Sequence, residues 1–288
     1  MLRKVMFVTV SLCVLILVCG GYYIYNKGEV IQARSNEVGK SATQIKSEYS
    51  KLKEKAKEQE PKDLKTNENL STETVQATSN KKVIVIDPGH ANRSNLEKEA
   101  IAPGSSDLKI KDGGGAEGIV TKTPEYKVNM QVAVRLKSIL ESRGYSIVMT
   151  KTEDSQSLGN IERAEVGNKA NANLVVRIHA DSSDDSNIRG ASMLIPAPIN
   201  SNTEAIYNES KEDGKIVLDT FVEEMGVANR GLVEHSDMTG FNWSRVPVIL
   251  IEMGFLSNPD EDKLLSSSTY EAKLSSSLAD GISKAMDR

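Results

Sequence analysis

The chain has 288 residues, a formal net charge of −4 and an ordinary share of charged side chains, 26%. That length holds one large domain or two small ones, and the slightly acidic balance gives no reason to expect binding to nucleic acid. Both cysteines, Cys13 and Cys19, lie in an N-terminal apolar stretch. The rest of the chain therefore has neither a disulfide framework nor a cysteine-ligated zinc site.

Residues 1–25 have the pattern of a membrane segment. The stretch from Val5 to Tyr25 is almost continuously apolar, and Arg3 and Lys4 precede it. About 20 apolar residues span the hydrocarbon core of a bilayer, and positive charges favour a cytoplasmic position for the end that carries them. The pattern predicts a single-pass signal anchor in the cell membrane, with the rest of the chain extracytoplasmic. The alternative is a cleaved signal peptide and a secreted protein.

Residues 26–80 form a polar segment between this anchor and the globular part. Apolar residues recur every seven positions at Ile31, Val38, Ile45 and Leu52, but the second position that a coiled-coil seam needs is polar throughout. The composition predicts a partly helical stalk that continues into a disordered linker over about 61–80. Such a segment holds a following domain away from a membrane.

Residues 81–288 have the pattern of a folded domain. Strands are predicted at 83–86, 146–150, 173–179, 189–195 and 246–253, and helices at 123–142, 160–170, 214–228, 259–265 and 269–286. Strands that alternate with helices predict an α/β fold, here a single layered domain with a mainly parallel twisted sheet flanked by helices. Residues 91–122, polar and rich in glycine, are predicted to be a flexible loop near the site, and 197–213 a polar loop.

Polar side chains stand where three predicted strands end. His90, His179 and Glu252 each follow or close an apolar strand. In an open parallel sheet, the carboxyl ends of the strands form the ligand crevice, so these side chains are expected to converge. Glu125 lies on the apolar, inward stripe of the helix predicted at 123–142, for which Thr123 is the expected N-cap. The alternative for Glu125 is simple complementation of the helix dipole.

Two imidazoles and a carboxylate are a normal ligand set for catalytic zinc, which keeps a fourth position for water. A further carboxylate can then serve as general base and general acid. The chain has no His-Glu-x-x-His motif. His235 stands in a polar stretch with no predicted strand before it, and it is expected to be a surface residue rather than a ligand.

Taken together, these residues resemble the catalytic domain of the zinc-dependent N-acetylmuramoyl-L-alanine amidases of the amidase-3 family. The resemblance covers about 82–286, and its motifs are VIVIDPGH at 83–90, EYKVN at 125–129, the stretch 163–171, IHA at 178–180 and IEMGFLSN at 251–258. It implies zinc ligation by His90, Glu125 and His179, with Glu252 as the catalytic carboxylate. It also implies hydrolysis of the amide between N-acetylmuramic acid and the first L-alanine of the peptidoglycan stem peptide.

The sequence departs from the usual family pattern near the site. Lys151 follows Thr150 where the family usually has arginine, Arg177 replaces a serine, and Asp181 stands where asparagine often follows His-Ala. Ala91 is followed by Asn92 and a long insertion, where a small residue or glycine is usual. Since none of the four implied site residues is missing, the departures bear on substrate detail and regulation rather than on chemistry.

Three further residues are candidates for roles at the site. Asn129 follows Glu125 by one helical turn and can orient it, although a solvent-facing asparagine fits equally well. Arg163 can bind a substrate carboxylate or carbonyl, or form an ordinary ion pair. Trp243, the single tryptophan, can line the substrate groove or pack in the core.

These observations predict a membrane-tethered, extracytoplasmic zinc amidase that acts on peptidoglycan. One alternative is a zinc metallopeptidase or carboxypeptidase that cuts cell-wall peptides. Another is a partner-regulated wall-binding module with little activity of its own. The insertion at 91–122 motivates this last alternative, because a loop can block a site until a regulatory protein moves it.

Overall fold

The computed structural model describes residues 81–288. The predicted anchor at 1–25 and stalk at 26–80 lie outside the described residues and stay predictions. Within 81–288, no helix combines the length and the apolar character that crossing a membrane requires.

Eight strands and six helices make up the described part of the chain. The strands are β1 (Val83–Pro88), β2 (Asn95–Ala100), β3 (Leu108–Asp112), β4 (Ser146–Met149), β5 (Leu174–Asp181), β6 (Ala191–Pro196), β7 (Asn229–His235) and β8 (Val248–Phe255). The helices are α1 (Glu125–Ser142), α2 (Asn160–Ala170), α3 (Ser201–Met225), α4 (Thr239–Asn242), α5 (Pro259–Leu265) and α6 (Ser268–Met286).

Six of the strands form one mixed sheet in the order β4-β1-β5-β8-β6-β7. The first four are parallel to one another, whereas β6 pairs antiparallel with β8 and parallel with β7. The reversal follows from the short connection at 182–190, which cannot hold the crossover that a parallel return needs. The predicted α/β fold with flanking helices is confirmed, but the sheet is mixed because of β6 and β7.

Alternation along the central strands gives the two faces of the sheet different roles. One face, which includes Ile84, Val176 and Ile251, belongs to the larger apolar core, to which α1, α3 and α6 contribute. The other face has a smaller core with Val175 and Leu250. Further along the strands of this second face, polar side chains take over: Asp87, Arg177, His179 and Glu252.

The insertion at 91–122 contains the antiparallel hairpin of β2 and β3. The Nε1 of Trp243 donates to the carbonyl oxygen of Ala100 at 2.9 Å. The Glu99 carboxylate accepts from the backbone N–H groups of Asn160 and Ile161 at the start of α2. The prediction of a flexible loop is therefore wrong for this part of the insertion, because contacts with distant residues fix the hairpin on the domain.

The region after β6 also differs from the prediction. Helix α3 begins at Ser201 rather than at Gly214, and the side chain of Asn200 caps it by accepting from the N–H groups of Asn202 and Thr203. Gly214 lies in mid-helix, where a Cβ would come within 3.1 Å of Ile195 and Met193 on β6. Gly214 therefore allows close packing of helix and sheet. Strand β7, which follows, was not predicted.

Candidate metal centre and active site

The centre of the sheet brings the predicted site residues together. Strands β1, β5 and β8 are neighbours, and His179 on β5 is the register partner of Glu252 on β8. His90 lies two residues beyond β1 with a left-handed φ of 58°. A Cβ on the preceding Gly89 would overlap the imidazole of His179, so this turn requires glycine there.

His90, Glu125 and His179 form a cluster with the donor set of a metal site. One ligand atom from each lies within 4.8 Å of the others. The Oε2 of Glu125 is 3.4 Å from His90 Nε2, and its Oε1 is 3.1 Å from His179 Nδ1. The other ring nitrogen of His179, Nε2, is buried and has no hydrogen-bond partner among the described residues. Two imidazoles, one carboxylate and this unpartnered nitrogen fit a zinc ion.

Glu125 enters the cluster from the first turn of α1. Its Oε2 accepts from the N–H of Ala116 at 2.9 Å, and its Oε1 accepts from Asn129 Nδ2 at 3.1 Å. Burial raises the pKa of Glu125, but the hydrogen bond with His179 and the charges of both histidines outweigh it and lower the pKa to about 2. The side chain is therefore ionised, as a metal ligand must be. Pro124 precedes the helix without a side-chain cap, so the expected capping role of Thr123 is wrong.

Burial lowers the pKa of His179 from its ordinary value, although the adjacent Glu125 carboxylate opposes this. A lowered pKa keeps the imidazole neutral at neutral pH. Neutral imidazole is the form that binds a metal.

Asp112 is a site residue that the sequence did not indicate. It ends β3, and its Oδ1 lies 2.8 Å from His90 Nδ1 while also accepting from the N–H of Gly114. Burial raises the pKa of Asp112, but the hydrogen bonds from His90 and Gly114 lower it overall. A carboxylate on the second ring nitrogen fixes the tautomer and orientation of a metal-ligating histidine. The Asp112 contact thus leaves His90 Nε2 free for a metal.

Glu252 lies beside the metal cluster, and it forms no ion pair with any residue of 81–288. Its Oε2 is buried and has no hydrogen-bond partner within the described range. Burial, and then the negative charges of Glu125 and Asp181, raise its pKa well above the ordinary glutamate value. A carboxyl group with a raised pKa is suited to accepting a proton and releasing it again near neutral pH.

Two clefts open on either side of the two histidines. The acidic cleft, of about 450 Å³, is lined by Glu125, Asp181, Ser182 and Glu252 besides the histidines. The basic cleft, of about 250 Å³, lies between the hairpin and α4. Its lining includes Lys109, Lys111, Asn160, Arg163, Arg177 and Thr239. Both clefts include His90 and His179 in their linings.

Two roles were predicted for Arg163, and the structure shows the ordinary ion pair. Its guanidinium is buried and donates to Asp87 Oδ1 at 2.6 Å and to the carbonyl oxygens of Pro88 and Leu158. Burial raises the pKa of Asp87, but the charges of Arg163 and Arg177 outweigh it and hold the pKa well below its usual range. This buried network braces the turn that presents His90.

The remaining candidates lie away from the cluster. Trp243 is half-buried, and its indole N–H is engaged by the hairpin rather than by a cleft. His235 closes β7, near Asp237, and is not part of the metal cluster. The expectation that no strand precedes His235 is wrong.

Comparison with known proteins identifies related sequences. The model of the amidase-3 family, described as N-acetylmuramoyl-L-alanine amidase, matches residues 84–284. The N-acetylmuramoyl-L-alanine amidase AmiC of Neisseria meningitidis is 27% identical over 241 residues, which cover 70% of this chain and 52% of that protein. The chain therefore spans about half the length of this relative.

Solved structures share the fold. The amidase Ami1 of Mycobacterium smegmatis superimposes with a TM-score of 0.65 at 23% identity, covering 72% of this chain and 97% of that one. The CwlD amidase of Clostridioides difficile, solved in complex with the GerS lipoprotein, gives a TM-score of 0.59 at 25% identity. That match covers 72% of this chain and 99% of that one.

Proposed function

The chain belongs to the amidase-3 family of N-acetylmuramoyl-L-alanine amidases, and from this premise we propose that it is a zinc-dependent peptidoglycan amidase. The bond cleaved is the amide between the lactyl group of N-acetylmuramic acid and the first L-alanine of the stem peptide. The observation that carries the proposal is the convergence of His90, Glu125 and His179 beside the buried carboxyl of Glu252.

His90, Glu125 and His179 are the proposed zinc ligands, and the ionised Glu125 carboxylate supports this assignment. One carboxylate and two imidazole nitrogens are a suitable donor set for a divalent cation. Zinc held there would supply Lewis acidity toward the amide carbonyl and would lower the pKa of water to roughly 7. Asp112 and Asn129 hold the His90 and Glu125 side chains in place by hydrogen bonds.

Glu252 is the proposed acid/base residue. It accepts a proton from the attacking water and then delivers a proton to the departing alanine nitrogen. Its burial favours the protonated form that exists between these two steps, and a cation at the ligand cluster would act in the opposite direction on its pKa.

The proposed substrate implies a location outside the cytoplasmic membrane, where peptidoglycan is found. The apolar segment at 1–25 would anchor the protein as a single-pass membrane protein, and the polar segment at 26–80 would extend the catalytic domain toward the wall. Secretion after cleavage of the segment is the alternative. Detection of residues 1–25 by mass analysis of the protein recovered from membranes distinguishes the two.

A regulatory protein partner is a further part of the proposal. The related CwlD amidase was solved in complex with the GerS lipoprotein, and the hairpin of this chain leaves Leu96 and Leu108 more than half exposed. Regulation by a partner therefore remains an expectation for this chain. The hairpin lines the basic cleft, whereas Glu252 lies in the acidic cleft. This arrangement speaks against the alternative of a wall-binding module with little activity, in which the insertion would block the site.

Digestion of purified peptidoglycan by the full chain, with and without added zinc, tests the function. Mass analysis is expected to show free lactyl groups on the glycan and intact stem peptides that begin with L-alanine. New termini within the stem peptides would instead support the metallopeptidase or carboxypeptidase alternative. Absence of any product at saturating zinc would contradict both.

A further inference from the structure

The basic cleft is lined by four cationic side chains and by Asp112, which contacts His90. Two of the four cations, both lysines, each have a carboxylate of their own. Lys109 donates to Asp237 at 2.7 Å, and Lys111 donates to Glu97 at 2.9 Å. Arg163 is paired with Asp87. The fourth cation is Arg177, whose environment is different.

Arg177 is only 5% exposed, and the carboxylate with which it forms an ion pair is shared. Its Nε donates to Asp87 Oδ2 at 2.8 Å, and its Nη2 donates to Asn160 Oδ1 at 2.8 Å. Asp87 also serves Arg163, so a single carboxylate faces two guanidinium groups. Among the described residues, Nε and Nη2 of Arg177 have these acceptors, and Nη1 makes no recorded hydrogen bond. An unbalanced charge that is largely withdrawn from water favours binding of an anion.

A second polar group in the same cleft also lacks a partner. Thr239 is buried, lines the basic cleft, and its Oγ1 has no hydrogen-bond partner in the described part of the chain. The next residue, Gly240, makes room for the guanidinium, because a Cβ there would overlap Nη1 of Arg177. A hydroxyl and a guanidinium N–H are both donors that suit a carboxylate.

The distance of Arg177 from the metal cluster indicates which residue of a bound peptide it can reach. Arg177 and His179 are two residues apart on β5, so they face the same side of the sheet with Cα atoms about 7 Å apart. An extended peptide covers roughly 3.5 Å per residue. A group that reaches Arg177 therefore belongs to about the second residue beyond the bond held at the histidines.

We infer that the basic cleft binds the carboxylate of the second residue of the stem peptide, through Arg177 Nη1 and Thr239 Oγ1. This inference rests on the proposed amidase function and gives the substrate a direction. The carboxyl group of muramic acid is consumed in the scissile amide, and the glycan carries no other, so the anion must belong to the peptide. The peptide then occupies the basic cleft, and the uncharged sugar lies toward the acidic cleft.

A cycle of ligand and protein changes tests the inference. The ligands are two muramoyl tripeptides that end in a C-terminal amide, and in both the γ-carboxyl of the second residue is joined to the third residue. They differ only in the α-carboxylate of D-isoglutamate or the α-carboxamide of D-isoglutamine. Calorimetry on the full chain measures their binding, and product analysis of longer fragments with the same two residues measures kcat/KM. The wild type is expected to favour the carboxylate by about 10-fold or more, the order for a hydrogen bond to a charged group. Arg177→Gln should bring the ratio near one, and Thr239→Val should reduce it several-fold.

Lys111→Gln is the matched control, because it also removes one positive charge from the cleft but one that Glu97 already balances. It should leave the ratio unchanged. Equal binding of both ligands by the wild type would overturn the inference without any variant, as would equal losses for both ligands in Arg177→Gln and Thr239→Val. Carboxylate-dependent binding without any hydrolysis would support the anion site and contradict the amidase function. Hydrolysis without carboxylate preference would do the reverse.

Discussion

Replacing Asp112 with alanine should weaken zinc binding although Asp112 is not a proposed ligand. In the structure its Oδ1 lies 2.8 Å from His90 Nδ1, and its side chain is 4% exposed. The substitution removes the acceptor that selects the tautomer of His90. The ring is then free to rotate, and its Nε2 is no longer held toward Glu125 and His179.

The expected magnitude follows from the kind of bond that is lost. A hydrogen bond to a charged group contributes about 1.5–3 kcal/mol, which corresponds to roughly 10–100-fold in a binding constant. Loss of the carboxylate behind a metal-ligating histidine typically costs a similar factor in metal affinity. Asp112→Asn keeps an acceptor oxygen but not the charge, so its zinc affinity should fall between those of the wild type and the alanine variant.

Competition for zinc between the full chain and a chromophoric chelator measures the effect. Glu97→Ala is the control, because Glu97 is an exposed carboxylate of the same hairpin that pairs with Lys111 and does not contact His90. Its affinity should match that of the wild type. An Asp112→Ala variant that binds zinc as tightly as the wild type would refute the orienting role of this carboxylate.

Three further predictions concern the scaffold. Gly89→Ala places a Cβ against the imidazole of His179, so zinc content by elemental analysis should fall below half of the wild-type value; full occupancy would contradict the tight turn. Arg163→Ala leaves Asp87 with one guanidinium partner, and chemical denaturation should show a loss of about 3–5 kcal/mol, against less than about 0.5 kcal/mol for the exposed Lys109→Ala. Burial raises the pKa of Asp213 to about 6 against the opposing charge of Arg288, so the folded chain takes up its proton at a higher pH than the unfolded chain. The free energy of unfolding should therefore fall as pH rises from about 4 to 6. Asp213→Asn should be more stable than the wild type by about 1–2 kcal/mol at pH 7, and this difference should vanish below about pH 4. Equal stability of the two proteins at pH 7 would contradict this.

The central strands could be predicted because their burial leaves a local trace. Strands β1, β5 and β8 are covered on both faces and therefore appear as continuous apolar runs. Such runs lead to His90, His179 and Glu252. Because neighbouring parallel strands end at the same edge of a sheet, the convergence of these three side chains could be predicted. The family expected from these motifs is confirmed by the match over 84–284.

The hairpin and Asp112 left no comparable trace. Strands β2 and β3 are largely exposed and charged, and the contacts that fix them join residues 99 and 100 of β2 to residues 160 and 243, which are distant in sequence. Asp112 gains its role only because the hairpin folds back onto His90. Local periodicity carries no information about such long-range pairs.

Misassignment of α3 had a different cause. Its first turns carry few apolar residues, so 197–213 were predicted to be a polar loop, whereas Gly214 lies in mid-helix and lets the helix approach β6. The sequence shows that a glycine is present, but it does not show how closely α3 approaches β6. The reversal of β6 and β7 depends in the same way on which strands pair, which the order of elements alone does not determine.

The most direct test of the central proposal compares the wild type with Glu252→Gln at equal zinc content on purified peptidoglycan. The proposal predicts that the variant binds zinc normally but releases stem peptides beginning with L-alanine about 10²–10⁴-fold more slowly, the range for loss of a general acid/base group. Full activity of the Glu252→Gln variant, with zinc bound and the same products formed, would contradict the assignment of the reaction to this site.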